Sequence, residues 1–175
     1  MSTEHTRFVL TDACFEHDTT GGIGGVLCGP MGCVEECFHF KLEREDVIPF
    51  MNEGQENAIA ELETLAVVVA MKLMASKLCS QHVVFCLDTD VSRFGLIKTY
   101  SDATGVTKLV KLASVLCEES VVLPWFLRVA SPSNVADYPS RLKCHTLLTD
   151  CAMVALADVN GAFRYALEFG TRTHS

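Results

Sequence analysis

The first part of the chain alternates between apolar and polar positions with a period of two, the spacing of a half-buried β-strand. In the first such segment Phe8, Leu10 and Asp12 share one face. Short stretches rich in glycine separate the segments and have the composition of tight turns. The pattern predicts an antiparallel three-stranded meander over residues 7–14, 23–28 and 33–42.

Helical and strand patterns alternate in the next hundred residues. A run of helix-forming residues without glycine or proline predicts a long helix over residues 55–78, and a continuous apolar run predicts a buried strand over residues 81–88. A short helix is expected across Asp137. Between the buried strand and this short helix, the pattern predicts two helices, over residues 90–100 and 106–117, and an edge strand over residues 121–129. The edge strand contains Trp125, which we expect in the core.

This order, β-β-β-α-β-α-α-β-α, predicts an α/β fold with a five-stranded mixed sheet and helices on both faces. We assign residues 1–141 to this domain and residues 142–175 to a C-terminal extension that is partly helical. Within the extension, the pattern predicts a helix over residues 147–159 that ends before Asn160 and Gly161.

Composition narrows the class of protein. Hydrophobic residues make up 49% of the 175 positions and charged residues 21%, as in a globular domain with a core. No apolar run approaches the roughly 20 residues that cross a bilayer, and the N-terminus lacks the pattern of a signal peptide. We expect an intracellular protein, cytoplasmic or nuclear, without membrane contact. The net charge of -8 argues against a nonspecific nucleic-acid binder, which needs Lys and Arg for the phosphates.

Four acidic positions stand where such a fold can bring them together. Asp12 ends the apolar face of the first strand, and Asp88 follows the buried strand, beyond whose carboxyl end α/β sheets bind ligands. Asp137 lies in the first turn of a short helix. Glu61 and Glu63 both lie in the long helix, about 200° apart, and both have apolar neighbours, so periodicity leaves the choice open. Each acid also has an ordinary explanation as a turn cap, a helix N-terminal acid or a surface residue.

As a set, these carboxylates favour ligation of a hard cation by oxygen. Such ligands suit Mg²⁺ or Mn²⁺ rather than zinc. Two ions roughly 4 Å apart would activate a water and stabilise the leaving oxygen of a phosphodiester. The sequence therefore predicts a site for hydrolysis of a nucleic-acid backbone.

Four blocks carry a family resemblance. They are Phe-Val-Leu-Thr-Asp12 with the glycine-bearing strand after it, Glu63-Thr-Leu-Ala-Val-Val-Val-Ala, Leu-Asp88-Thr-Asp-Val-Ser-Arg, and Ser-Asn-Val-Ala-Asp137-Tyr-Pro-Ser-Arg. Together, in this order, they resemble the ribonuclease H domains of retroelement reverse transcriptases, most closely those of tyrosine-recombinase retrotransposons. The second block selects Glu63 over Glu61.

The resemblance implies a ribonuclease H-like fold and a divalent-metal endonuclease that hydrolyses the RNA strand of RNA–DNA hybrids by a two-metal mechanism. It implies that Asp12 bridges two Mg²⁺ ions, for which Mn²⁺ can substitute. Glu63 and Asp88 would hold one ion, and Asp137 the other. The residues that we expect to contact phosphates or sugars are Thr89, Arg93, Lys98, Asn134 and Arg141.

Two features depart from the family pattern. Ala13 and Cys14 stand where Gly-Ser is usual, and no basic helix is evident for gripping a hybrid. With the net charge of -8, this predicts weak binding by the domain alone and a contribution from an adjoining reverse transcriptase domain or other partner. Two alternatives stay open: a nuclease that acts on DNA or structured nucleic acid with the same site, and a domesticated, non-catalytic interaction domain.

Overall fold

A computed structural model describes residues 6–15, 20–143 and 151–172 of the chain. The three N-terminal strands pair antiparallel, as the alternation predicts, and two later strands extend the sheet in parallel beside the first one. The strands are β1 (Thr6–Phe15), β2 (Thr20–Cys28), β3 (Val34–Glu43), β4 (His82–Leu87) and β5 (Leu123–Arg128). A sixth strand of two residues, β6 (Ala152–Met153), joins β3 in parallel and gives the order β5-β4-β1-β2-β3-β6. The mixed sheet thus has one strand more than predicted, and it comes from the C-terminal region.

Seven α-helices lie within the described residues, and they cover both faces of the sheet. They are α1 (Arg44–Val47), α2 (Ile59–Leu73), α3 (Ala75–Leu78), α4 (Asp90–Lys98), α5 (Thr104–Glu119), α6 (Asp137–Ser140) and α7 (Leu156–Arg172). The long helix expected from residue 55 begins only at Ile59, whose backbone N–H donates to the Asn57 side chain at 2.9 Å. It breaks at Met74 into α2 and α3.

The C-terminal helix differs from the prediction. Residues 147–150 lie outside the described residues, and α7 runs through Asn160 and Gly161 instead of ending before them. The prediction was wrong because packing outweighs the low helix propensity of glycine here. Val159 and Phe163 enter the same buried cluster as α2 and α5, so this helix completes the main core.

The two faces of the sheet are covered unequally. Helices α2, α5 and α7 pack over one face, with Leu62 and Leu65 of α2 fully buried. On the other face the four-residue helix α6 packs against β1, β2 and β3. Trp125 of the edge strand β5 is 66% exposed, which contradicts the expected core position. The reason is that so short a helix covers only the middle of the sheet. No helix among the described residues is long and apolar enough to cross a membrane.

Candidate active site

The centre of the site is where β1 and β4 run side by side. Asp12 lies in β1 opposite Gly24 of β2 and is 5% exposed. In the parallel pair β1–β4, Leu10 stands opposite Cys86. Continuing this register by two residues brings Asp88, the first residue after β4, level with Asp12. Because residues two apart share a face of a strand, both carboxylates belong to the same face.

Helix α6 brings Asp137 to this face because β2 carries glycines beneath it. A Cβ atom on Gly24 would lie 2.7 Å from the carbonyl carbon of Pro139, and one on Gly22 would lie 3.3 Å from that of Ser140. Only a strand without side chains at these positions lets the helix backbone approach so closely. The glycine-rich strand is therefore part of the site's construction.

Two side chains connect the α6 segment to β1. The Ser140 hydroxyl, which is fully buried, donates to Oδ2 of Asp12 at 2.6 Å. The buried Asn134 amide donates to the backbone carbonyl of Thr11 at 2.9 Å. At the end of the helix, Nε of Arg141 donates to Oδ1 of Asp137 at 2.7 Å. These bonds fix Asp137 relative to Asp12.

The fourth carboxylate comes from α2. Glu63 is 4% exposed, and its Oε2 accepts hydrogen bonds from the hydroxyls of Thr89 and Ser92, the latter at 3.2 Å. Glu61 is also buried, but its carboxylate accepts from Nε2 of Gln55 at 3.0 Å. Thr89 follows Asp88 directly, so it is Glu63 rather than Glu61 that the helix brings to Asp88.

The electrostatics show that the carboxylates form one group. Burial raises the pKa of Asp12 from 3.8 to about 6; the Ser140 hydrogen bond opposes this rise, and the charges of Asp88 and Asp137 add to it. Burial also raises the pKa of Glu63 from 4.5 to about 8; the Thr89 hydrogen bond opposes the rise, and Asp88 and Asp12 add to it. Buried acids that repel one another in this way are characteristic of functional sites.

Comparison with solved structures identifies the architecture. The chain is similar to RNase H1 from Halobacterium salinarum, with 13% sequence identity, 79% of this chain and 96% of that chain covered, and a TM-score of 0.63. It is also similar to an RNase H1 isolated from compost by a metagenomic approach and solved in complex with an RNA/DNA hybrid, with 15% identity, 78% and 94% coverage, and a TM-score of 0.64.

The protease-reverse transcriptase of a foamy virus, solved with dsDNA, is a third relative in structure. It has 14% identity to this chain, 83% and 97% of the two chains are covered, and the TM-score is 0.58. The chain has a ribonuclease H-like fold. No protein-family model matches the sequence, and no curated protein matches it.

Within this ribonuclease H-like fold, the chemistry of the four acids fits a divalent cation. Oδ1 of Asp88 is buried and accepts no hydrogen bond from an ordinary donor among the described residues, and the interaction of the Asp88 carboxylate with the Glu63 carboxyl adds to the raised pKa of Glu63. A bound cation would satisfy such an oxygen. As the side chains stand, however, no three His, Cys, Asp or Glu residues of the described chain are arranged to hold a metal ion. In each of Asp12, Glu63 and Asp137, one carboxylate oxygen accepts a hydrogen bond from another side chain of the protein.

The cationic residues predicted to contact substrate are engaged with acids or lie on an aromatic ring. Arg93 and Arg128 both bind the Asp90 carboxylate, at 2.8 and 3.0 Å. Nζ of the exposed Lys98 lies 5.7 Å from the centre of the Phe94 ring. Arg141, as described, binds the proposed ligand Asp137. None of these cations forms an open basic patch in the part of the chain that the structure describes.

The structure gives several polar side chains of the site roles that were not predicted from the sequence. Asn134 and Thr89 were predicted as substrate contacts, yet the structure directs both side chains to partners within the protein. Ser92 and Ser140 were not singled out at all, and both are fully buried. The available signal was spacing: each serine follows a residue of the site, Thr89 or Asp137, by three positions in a helix, which is one turn.

A separate apolar groove of about 700 Å³ lies between α4, α5 and β5. Its lining includes Leu96, Val110, Trp125 and Phe126, and none of the four carboxylates lines it. Because the groove contains few polar groups, it does not have the character of a site for phosphodiester chemistry. The carboxylate group remains the candidate active site of the ribonuclease H-like fold.

Proposed function

We propose that the protein is a divalent-metal-dependent endonuclease that hydrolyses the RNA strand of RNA–DNA hybrids by a two-metal mechanism. The observation that supports the proposal is the mutual electrostatic influence of four acids in a ribonuclease H-like fold: burial raises the pKa values of Asp12 and Glu63, and the charge of Asp88 adds to both rises and that of Asp137 to the first. The solved relative that holds an RNA/DNA hybrid supports the choice of substrate.

These four residues would hold two Mg²⁺ ions, for which Mn²⁺ can substitute. When bound, the ions supply activation of a water and stabilisation of the leaving oxygen. The buried Oδ1 of Asp88 supports this assignment, since a hard cation satisfies a buried carboxylate oxygen. The charges of Asp88 and Asp137 both raise the pKa of Asp12, so all three carboxylates would be close enough to share in holding the ions.

The protein's own groups prepare the site. Thr89 and Ser92 hold one oxygen of Glu63, and Asn134 anchors the loop that leads to Asp137. Burial keeps bulk water away from Asp12 and strengthens every charge interaction there. A hybrid would be recognised by its shape and its 2′-hydroxyls, with Arg93, Lys98 and Arg141 as the proposed contacts, since Thr89 and Asn134 bind partners within the protein.

Substrate affinity would depend on a partner. The net charge is -8, and Arg93, Arg128 and Arg141 already bind carboxylates. An adjoining reverse transcriptase domain of the retrotransposon type would supply the missing phosphate contacts. The same observations favour, as a second candidate, a domesticated domain that has kept the acids but no longer cleaves.

Cleavage of a labelled RNA–DNA hybrid by the full chain in Mn²⁺ tests the proposal, with DNA and RNA duplexes as competing substrates. Asp12→Asn should lower hybrid cleavage at least roughly 100-fold, the upper range for changes around metal ligands. Asp158→Asn, an exposed acid of α7, serves as the matched control and should cleave like the native chain.

The outcomes separate the candidates. Cleavage that survives Asp12→Asn would exclude the proposed mechanism. Cleavage of the DNA duplex in preference to the hybrid would assign the same site to a different substrate. A native chain that binds Mn²⁺ without cleaving any duplex, even beside an added reverse transcriptase domain, would identify the non-catalytic domain.

A further inference from the structure

The hydrogen bond between Ser140 and Asp12 lies in the candidate active site and was not predicted from the sequence. The hydroxyl of Ser140 lies 2.6 Å from Oδ2 of Asp12 and 3.0 Å from the backbone carbonyl of Asp137. A serine hydroxyl has one proton to donate, and the shorter contact to a carboxylate is the stronger of the two. Ser140 therefore connects two of the acids that the proposed function requires.

The backbone of Ser140 is fixed on both sides. Its N–H donates to the carbonyl of Ala136 at 3.0 Å, and its own carbonyl accepts from the Cys14 thiol at 3.2 Å. The segment also rests on Gly22 and Gly24, where a Cβ atom would collide with it. With no exposed surface and no freedom to move, the hydroxyl has a position that is set by the fold before any ligand binds.

A hydrogen bond to one carboxylate oxygen fixes the rotation of the whole group. Oδ2 of Asp12 is taken by Ser140, and Oδ1 receives no hydrogen bond from any residue that the structure describes. The carboxylate therefore has one oxygen held by the protein and one left for a ligand. In metal sites, outer partners of this kind orient the ligand, and their removal typically costs about 10- to 100-fold in metal affinity.

We propose that Ser140 is a positioning residue that holds the Asp12 carboxylate in the orientation required to bind a divalent cation. The inference rests on the proposed function for the identity of the site, but it concerns cation binding and not cleavage. A serine that only filled space beneath α6 would be replaceable by alanine without loss of cation affinity.

The test compares the native full chain with Ser140→Ala, Ser140→Thr and Ser133→Ala. Threonine keeps the hydroxyl, and Ser133 is an exposed serine of the same segment that serves as the matched control. Mn²⁺ affinity is measured by titration calorimetry, and urea unfolding without metal reports whether each variant is folded. Ser140→Ala should weaken Mn²⁺ binding at least ~10-fold while staying folded, and Ser133→Ala should bind like the native chain.

Two further readouts distinguish positioning from a purely structural role. Ser140→Thr should recover Mn²⁺ affinity to within about threefold of native, because the hydroxyl is what acts. In hybrid cleavage, Ser140→Ala should need more Mn²⁺ to reach half of its maximal rate, with little change in KM for the hybrid. If Ser140→Thr destabilises the packed segment, the Mn²⁺ concentration that the folded Ser140→Ala variant needs for half-maximal cleavage distinguishes the positioning role from a structural one.

Native affinity in Ser140→Ala, with an unchanged Mn²⁺ requirement, would overturn the inference even if the chain cleaves hybrids. A native chain that binds Mn²⁺ but cleaves no hybrid, together with weakened binding in Ser140→Ala, would overturn the proposed function and leave the positioning role intact. A native chain that binds no Mn²⁺ would overturn both.

Discussion

Replacing Gly24 with alanine tests whether the contact between α6 and β2 builds the site. The added Cβ would lie 2.7 Å from the carbonyl carbon and 2.9 Å from the Cβ of Pro139, and closer still to the backbone nitrogen of Ser140. Ordinary van der Waals contact begins at 3.4 Å, so the contact with the Pro139 carbonyl carbon alone requires α6 to retreat by about 0.7 Å, and the shorter contact with the Ser140 nitrogen requires more. Backbone and proline atoms cannot rotate away, and overpacking of this kind costs about 1–3 kcal/mol of stability.

The retreat would also separate Ser140 from Asp12. A movement of about 0.7 Å lengthens their 2.6 Å hydrogen bond to about 3.3 Å, beyond the usual range for two oxygens. It displaces Asp137 by a similar distance. Because a misplacement of about 1 Å can cost roughly 100-fold in an active site, we expect hybrid cleavage to fall at least ~10-fold, and Mn²⁺ affinity to fall with it.

Gly25→Ala is the matched control for this variant. Gly25 is the next residue of β2, and its added Cβ would meet the Phe38 ring on the opposite face, 2.9 Å from Cζ. Urea unfolding should show a loss of about 1–3 kcal/mol for both variants. Calorimetric Mn²⁺ titration and hybrid cleavage, under conditions where both are folded, should show a loss for Gly24→Ala alone. Equal losses of Mn²⁺ affinity in the two variants, or a Gly24→Ala chain that binds like native, would refute the reasoning.

Two further predictions concern stability. Folding raises the pKa of Asp12 from 3.8 to about 6 and that of Glu63 from 4.5 to about 8. The two protonated carboxyls therefore contribute fully to folding stability below pH 3.8 and 4.5, and this contribution is lost as the pH rises through about 6 and about 8. At about 1.4 kcal/mol per pH unit, the raised pKa of Asp12 alone lowers the unfolding free energy by roughly 3 kcal/mol at pH 8 in the absence of metal. Urea unfolding in chelator from pH 4.5 to 8.5 should show Asp12→Asn/Glu63→Gln gaining stability over native as pH rises; a pH-independent difference would contradict the burial of these charges. Gly161→Ala should raise the unfolding free energy by about 0.5–1 kcal/mol, since nothing lies within 4 Å of the added Cβ; a loss would mean that α7 does not continue through this residue.

Period-two alternation was sufficient to predict the central strands and the face of Asp12. It fixes which residues share a face, and the position of Asp88 after a buried strand then follows from the rule for the carboxyl ends of strands. Periodicity could not choose between Glu61 and Glu63, because both are buried on different sides of α2. That choice depends on which side of the helix meets Thr89, a contact between elements that are distant in sequence.

The parts that sequence did not predict depend on tertiary approach. Ser140 reaches Asp12 only because Gly22 and Gly24 let a helix backbone lie on the sheet. Helix α7 continues through Gly161 because the residues around it are buried against the core. Trp125 is exposed because α6 is too short to cover the edge of the sheet. In each case the deciding quantity is the distance between two elements, which local composition does not contain.

The half-exposed and the buried acids of this region have hydrogen-bond partners of different charge. Arginines bind the two half-exposed acids, Asp90 and Asp137, each 42% exposed at its side chain. The two buried acids, Asp12 and Glu63, receive neutral hydroxyls instead. A hydroxyl orients a carboxylate without adding a positive charge, so burial, and after it the neighbouring acids, still raise the pKa values of Asp12 and Glu63. Arg141 supplies a compensating charge at Asp137, whereas no cationic side chain is hydrogen-bonded to Asp12 or Glu63 among the described residues, so the proposed divalent cation would have to supply it there.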